Sequence, residues 1–265
     1  MKIVLFRKKV LIAAAILVAV TVSAVVFSGG IAQSAATQAA RSLPIYSVKR
    51  DDNKASISFD AAWGNEDTQE IIDILARYNV KATFFVVGEW VDKYPESVKA
   101  LSDAGHEIMN HSDTHPYLTK LSKDALISEI NQCSDKIEAV TGVRPDLVRP
   151  PYGDYNDTVV DTLKENGYYT IQWSIDSLDW KELSAKEITS RVTSKLQSGS
   201  ITLFHNAALH TPEALPAILE YAKANQIELV KISELIYREN YKIDHTGQQY
   251  LVESTDSSKS DGVSR

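Results

Sequence analysis

Seven short apolar or β-rich runs, separated by stretches of helical periodicity, constrain this chain more than any other feature of its sequence. They are Ser56–Asp60, Ala82–Val87, Glu107–Asn110, Leu147–Arg149, Thr170–Asp176, Ile201–His205 and Glu228–Ile232. Between them, Ile72, Leu75 and Tyr78 make one helical face, and Ile188, Val192 and Leu196 make another. Thr211-Pro212-Glu213 reads as a cap, a first-turn proline and an acid opening a helix through Leu215 and Leu219. Such β/α alternation without an intervening linker implies parallel strands, in either a barrel or a doubly wound sheet. No repeat at a fixed period interrupts the pattern. At 265 residues the chain can bury the core such a fold needs as one catalytic domain.

Ionisable residues gather where these runs end. Asp60 closes the first, His111 follows the third, Arg149 ends the fourth, Asp176 and Asp179 follow the fifth, and His205 ends the sixth. In parallel barrels the C-terminal strand ends form one rim that carries the chemistry. Randomly placed surface polar residues would not keep this register, which favours a barrel over an open sheet.

The first forty residues read differently. Lys2, Arg7, Lys8 and Lys9 precede an uncharged apolar run of 18 residues from Val10 to Phe27, followed by the small, polar "SGGIAQSAATQAA". This is the pattern of an export signal, long enough to cross a bilayer and favouring a retained anchor, while Ser34 and Ala36 still permit cleavage. The basic flank keeps the N-terminus in the cytoplasm and sends the rest of the chain outside. Expected boundaries are residues 1–30 for the signal or transmembrane anchor, 31–50 for a linker, 51–240 for the catalytic domain and 241–265 for a polar, disordered tail. A formal net charge of −7 argues against a nucleic-acid partner. The single cysteine, Cys133, excludes an internal disulfide and lies on a helical apolar stripe, as a buried thiol does.

Four further segments carry candidate chemistry. In His111-Ser-Asp-Thr-His115 the spacing permits two imidazoles on one face, as a metal-binding pair requires, although the pair alone is equally a solvated turn before Pro116. "RPPYGDYN", from Arg149 to Asn156, is a rigid turn with one guanidinium. It is either an ordinary surface turn, or one in which Arg149 holds Asp60 ionised while the Tyr152 amide faces an oxyanion. "DSLDW", Asp176 to Trp180, supplies two acids and an indole; "GSITLFH" delivers His205, whose pKa would rise if it paired with Asp179. Trp63 and Trp180 suit either packing or the wall of a sugar site. His106 and His210 read as structural.

In this order, "SFDAAWG", "HSDTH", "RPPYG", "DSLDW" and "TLFH" resemble the polysaccharide deacetylase family with the NodB homology domain, carbohydrate esterase family 4, over about residues 50–240. The resemblance implies a distorted (β/α)7 barrel that hydrolyses N-acetyl groups of amino sugars in extracytoplasmic polymers, with a divalent metal, commonly zinc. "FDAAWGNEDT" and the N-terminal anchor look most like the membrane-anchored, sporulation-associated branch. Carried over, Asp60 matches the general base, His111 and His115 the metal ligands, Arg149 the partner of the base, Asp179 the group tuning His205, and His205 the acid. Tyr152, Trp63, Trp180 and Asp176 fall at substrate-binding positions.

The family usually writes two acids in sequence at the first motif, the second completing the metal shell. This chain has Ala61 there, whose methyl cannot ligate. Three outcomes follow: Glu66 or Asp67 replaces the missing carboxylate, the two histidines hold a weakly bound metal, or the site is metal-free and only binds glycan. The functional expectation is a cell-wall glycan deacetylase. Its rivals are a glycan-binding relative without turnover and an amidase acting on a different acyl amide.

Overall fold

The computed structural model of the protein describes residues 41–252. The expected export segment lies outside them, and no helix among the described residues is long and apolar enough to cross a membrane. Eleven strands run in chain order: β1 (Ser47–Val48), β2 (Lys54–Ala61), β3 (Thr83–Val86), β4 (Glu107–Asn110), β5 (Leu147–Val148), β6 (Tyr169–Thr170), β7 (Ile175–Asp176), β8 (Ile201–His205), β9 (Glu228–Leu229), β10 (Tyr241–Ile243) and β11 (Gln248–Leu251). Eight helices accompany them: α1 (Thr68–Arg77), α2 (Gly88–Lys93), α3 (Pro95–Asp103), α4 (Lys123–Thr141), α5 (Asp157–Glu165), α6 (Ala185–Thr193), α7 (Thr211–Ala224) and α8 (Ile232–Leu235).

The main sheet has the order β6-β5-β4-β3-β2-β8-β7, with every pairing parallel. Its two edge strands, β6 and β7, are successive pieces of one segment, read from sequence as the single run Thr170–Asp176. The chain thus links the two edges through Ile171 to Ser174 without pairing them, and the parallel layer is a half-barrel consistent with a distorted (β/α) barrel. The last of the seven expected runs is the most altered: β9 pairs only with the base of β2, at Lys54 and Ala55, and the chain then turns into α8.

The period of two along each strand sorts the side chains. On β2, Ala55, Ile57, Phe59 and Ala61 join Phe84, Val86, Phe204 and the apolar faces of α1 and α7 in an outer cluster. The alternate residues Ser56, Ser58 and Asp60 are buried on the opposite face, toward the lumen. The lumen's apolar floor is a second cluster that includes Phe85, Met109, Leu147 and Ile201. Phe59 stacks on Phe84 at 4.7 Å and on Phe204 at 5.6 Å, tying the three central strands together.

Two boundary expectations are corrected. Ile45 and Val48 are buried in the inner cluster, so the end of the supposed linker belongs to the domain. The tail is ordered through residue 252: β10 and β11 form an antiparallel hairpin, and β11 pairs in parallel with β1. Its turn is held by Asp244 Oδ1, which accepts hydrogen bonds from the Thr246 amide at 2.8 Å and hydroxyl at 2.6 Å and from the Gln248 amide at 3.0 Å. Gln249 is fully buried and exchanges two hydrogen bonds with the Tyr237 backbone, at 2.7 and 2.8 Å. A polar composition concealed this, because the segment is stabilised by backbone pairing and a satisfied amide rather than by apolar periodicity. Residues 253–265 lie outside the described residues.

Candidate active site

Alternation along β2 and β8 delivers Asp60 and His205 to the lumen as register partners on neighbouring parallel strands. Each arrives with its own partner. Asp60 Oδ1 accepts a hydrogen bond from Arg149 Nη1 at 2.7 Å, and Arg149, fully buried, donates from Nη2 to Ser58 Oγ at 2.8 Å. The Arg149 guanidinium lies 4.1 Å from the Phe85 ring centroid, so one face is covered by an aromatic ring. Burial pushes the Asp60 carboxyl up, but the charges of Arg149, His111 and His205 outweigh it and hold the group below its ordinary value. Asp60 is therefore ionised at neutral pH.

His205 Nδ1 lies 2.8 Å from Asp179 Oδ1, which leaves Nε2 as the nitrogen free for chemistry. Asp179 is itself fixed: its carboxylate also accepts from the His205 amide at 2.8 Å, the Trp180 amide at 2.9 Å and the Thr211 hydroxyl at 2.7 Å. Burial lowers the His205 pKa, but the hydrogen bond and charge of Asp179 outweigh it, and the imidazole ends above its usual value.

The two histidines expected to ligate a metal form a second wall, after β4 and beside Asp60. His111 is buried, with Nδ1 at 2.7 Å from the Arg149 carbonyl and Nε2 at 3.5 Å from Asp60 Oδ2. Its ring centroid is 5.0 Å from that of His115, so the structure brings the two histidines together. Burial, reinforced by His111, lowers the His115 pKa to about 4, and burial lowers that of His111 despite Asp60. Both imidazoles are neutral at pH 7, the form in which they ligate metals.

As a metal centre, however, the donor set is short. No group of three His, Cys, Asp or Glu placed to hold an ion occurs among the described residues. Asp60 is committed to Arg149, and Ala61 is fully buried in the outer apolar cluster. Neither substitute carboxylate fills the gap: Asp67 Oδ2 accepts from the Ala207 amide at 2.9 Å, and Glu66 is exposed and folded back over Gly64. Two imidazoles do not make the three- or four-ligand shell that zinc takes in proteins.

Around the mouth, Trp63, Tyr152 and Trp180 are all exposed. Tyr152 has φ +60°, in the left-handed region, on a turn whose Gly153 and Asp154 amides bond the Pro150 and Pro151 carbonyls. The Tyr152 amide has no such partner among the described residues and is available as a donor. Asp176 is half-buried and turns Oδ1 onto the Leu178 amide at 2.9 Å, holding the loop that leads to Asp179. Sequence reasoning passed over Ser58 and Asn206 and read Thr211 only as a helix cap. Ser58 anchors Arg149, Asn206 donates to the Gly64 carbonyl beside Trp63, and the Thr211 hydroxyl serves Asp179 rather than capping α7. A small hydroxyl on the inward register of β2, two residues before Asp60, was the available signal for Ser58.

A family model described as polysaccharide deacetylase matches residues 47–171. Among curated proteins, the uncharacterized protein YlxY of Bacillus subtilis (strain 168) is 33% identical over 73% of this chain and 60% of its own length. The peptidoglycan-N-acetylmuramic acid deacetylase PdaC of the same organism is 36% identical over 68% of this chain and 38% of its own length. Among solved structures, the CE4 family pseudoenzyme BA3943 from Bacillus anthracis superposes with TM-score 0.71 at 31% identity, over 80% of this chain and 74% of that one. A BA3943 mutant with restored enzymatic activity matches at 34% identity and TM-score 0.70, over 73% of this chain and 71% of that one. The chain belongs to the polysaccharide deacetylase family, whose members are generally metal-dependent hydrolases of N-acetyl amide bonds.

Proposed function

We propose that the protein hydrolyses N-acetyl groups of amino sugars in cell-wall glycan, outside the cytoplasm and anchored by its N-terminal segment. The observation that carries this reading is the placement of Asp60 and His205 as neighbours on β2 and β8, each locked by a separate buried partner. One is held ionised and the other above its usual pKa, the division a base and an acid need. Asp60 Oδ2 takes a proton from a water, the resulting hydroxide adds to the acetamide carbon, and the Tyr152 amide donates to the oxyanion. His205 Nε2 then gives its proton to the leaving amine as the C–N bond breaks, releasing acetate and a free amino sugar. Peptidoglycan deacetylases among the relatives support this substrate class, and the basic and apolar pattern of residues 1–30 supports the location.

The test is acetate release from peptidoglycan fragments and N-acetylated chito-oligosaccharides. Asp60→Asn and His205→Ala are each expected to lose at least about 100-fold. Equal release by wild type and Asp60→Asn would overturn the assignment of the base.

A second reading, glycan binding without turnover, is favoured by one observation: Ala61 and the absence of a three-donor cluster among the described residues. The BA3943 pseudoenzyme and its reactivated mutant make this concrete. Under this reading wild type binds glycan and releases no acetate whichever divalent metal is added.

A further inference from the structure

The loops after β2, β4 and β5 place four rings in a row: Trp63, His115, Tyr152 and Tyr117. Successive centroids are 5.8, 4.5 and 4.3 Å apart. The first two contacts are edge-on, whereas Tyr117 and Tyr152 stack with an interplanar angle of 18°. Tyr117 is the outermost ring of the row and belongs to none of the catalytic partnerships above. It is 52% exposed and Tyr152 is 58% exposed, so a stacked aromatic pair stands in solvent beside the active site.

Two features show that this pair is held in place rather than left loose. Tyr152 sits at φ +60°, a conformation that costs a non-glycine residue free energy and persists only where its surroundings impose it. The two loops are also clamped to each other: the Asp154 carboxylate accepts the Thr119 amide at 2.9 Å and the Thr119 hydroxyl at 2.8 and 3.1 Å. Each tyrosine lies two residues from its end of this clamp. The row is continuous with the site, because His115 also contacts His111, which faces Asp60.

We infer that Tyr117, stacked on Tyr152, is a saccharide platform that binds a sugar ring flanking the one whose acetamide is cut, and so selects chains over short fragments. This rests on the glycan reading proposed above. A pyranose offers an apolar C–H face and a polar edge, which match a flat amphipathic ring standing partly in water. The chemistry between Asp60 and His205 needs only one acetamide. A second aromatic stack beyond His115 adds contact area that a single sugar at the catalytic pair does not use.

The experiment is calorimetric titration of the full chain and of Tyr117→Ala and Tyr117→Phe with tetra-N-acetylchitotetraose and with the monosaccharide N-acetylglucosamine, alongside acetate release. The inference expects Tyr117→Ala to weaken the tetramer about tenfold more than the monosaccharide, and Tyr117→Phe to keep the wild-type ratio within about twofold. An unchanged ratio in Tyr117→Ala, or a wild type that binds no tetramer, overturns it. The two readings fail separately. Tetramer binding that depends on Tyr117 without acetate release supports the platform and counts against the deacetylase. Acetate release indifferent to Tyr117 does the reverse.

Discussion

The two walls of the lumen mouth are built to different standards. On one, Asp60 and His205 each have a dedicated partner, and those partners are supported in turn by Ser58 and Thr211. On the other, His111 and His115 approach each other without a third donor among the described residues. A side chain needed for proton transfer can be aligned by one strong neighbour, whereas a cation needs several donors converging at once. Loss of a single carboxylate therefore leaves the first wall intact and the second short. The Asp60 and His205 partnerships stand in the geometry independently of the metal shell.

The largest effect that would break this contrast comes from the partner of Asp60. Arg149→Ala leaves Asp60 buried without its counter-charge and is expected to cost about 3–5 kcal/mol of stability, read by thermal or urea unfolding. A variant as stable as wild type would show that the first wall is not locked. Next, Asp179→Asn removes the charge that raises His205. The alkaline limb of any pH–rate profile should move to lower pH, with acetate release down about 100-fold; an unmoved limb would take His205 out of the acid's role.

A smaller effect separates two histidines by sign. His106 accepts from the Ala82 amide at 3.1 Å, and burial lowers its pKa to about 4. In the unfolded chain it titrates near about 6.5, so it contributes nothing above that pH and destabilises the fold progressively as pH falls from there toward 4. The expected slope is up to about 1.4 kcal/mol per pH unit. His205, raised by Asp179, acts oppositely: its stabilisation is present below the unfolded value and is lost as pH rises through the folded one. Melting temperature against pH should therefore drop below about pH 6.5 in wild type and drop less in His106→Gln. Identical curves would count against the neutral, buried state of His106. The smallest expected effect is that of metal. With two imidazoles as donors, zinc at a concentration equal to its Kd adds only about 0.4 kcal/mol, and chelator should leave the melting temperature within about 1 °C. A shift of several degrees would mean that a third ligand moves in.

Much of this was legible because it depends on short-range pattern. Strand alternation alone places Asp60 with Ser58 and away from Ala61, and the order of the strand-end residues already marks one rim. What escaped was long-range and polar. The β10–β11 hairpin reads as a disordered tail until Gln249 is seen against Tyr237 and β11 against β1. Thr211 reads as a helix cap until its hydroxyl is found on Asp179, 32 positions away. Asp67 reads as a spare metal ligand until it is found holding the Ala207 amide.

By itself, then, the sequence determined the parallel β/α alternation, the inward register of Asp60 and His205, and the missing carboxylate at Ala61, because each is a property of neighbours along the chain. Only the tertiary structure decided that neither Glu66 nor Asp67 replaces it and that Tyr117 stacks on Tyr152. Those outcomes depend on which loops meet above the barrel, and loop contacts leave no periodic trace in a chain.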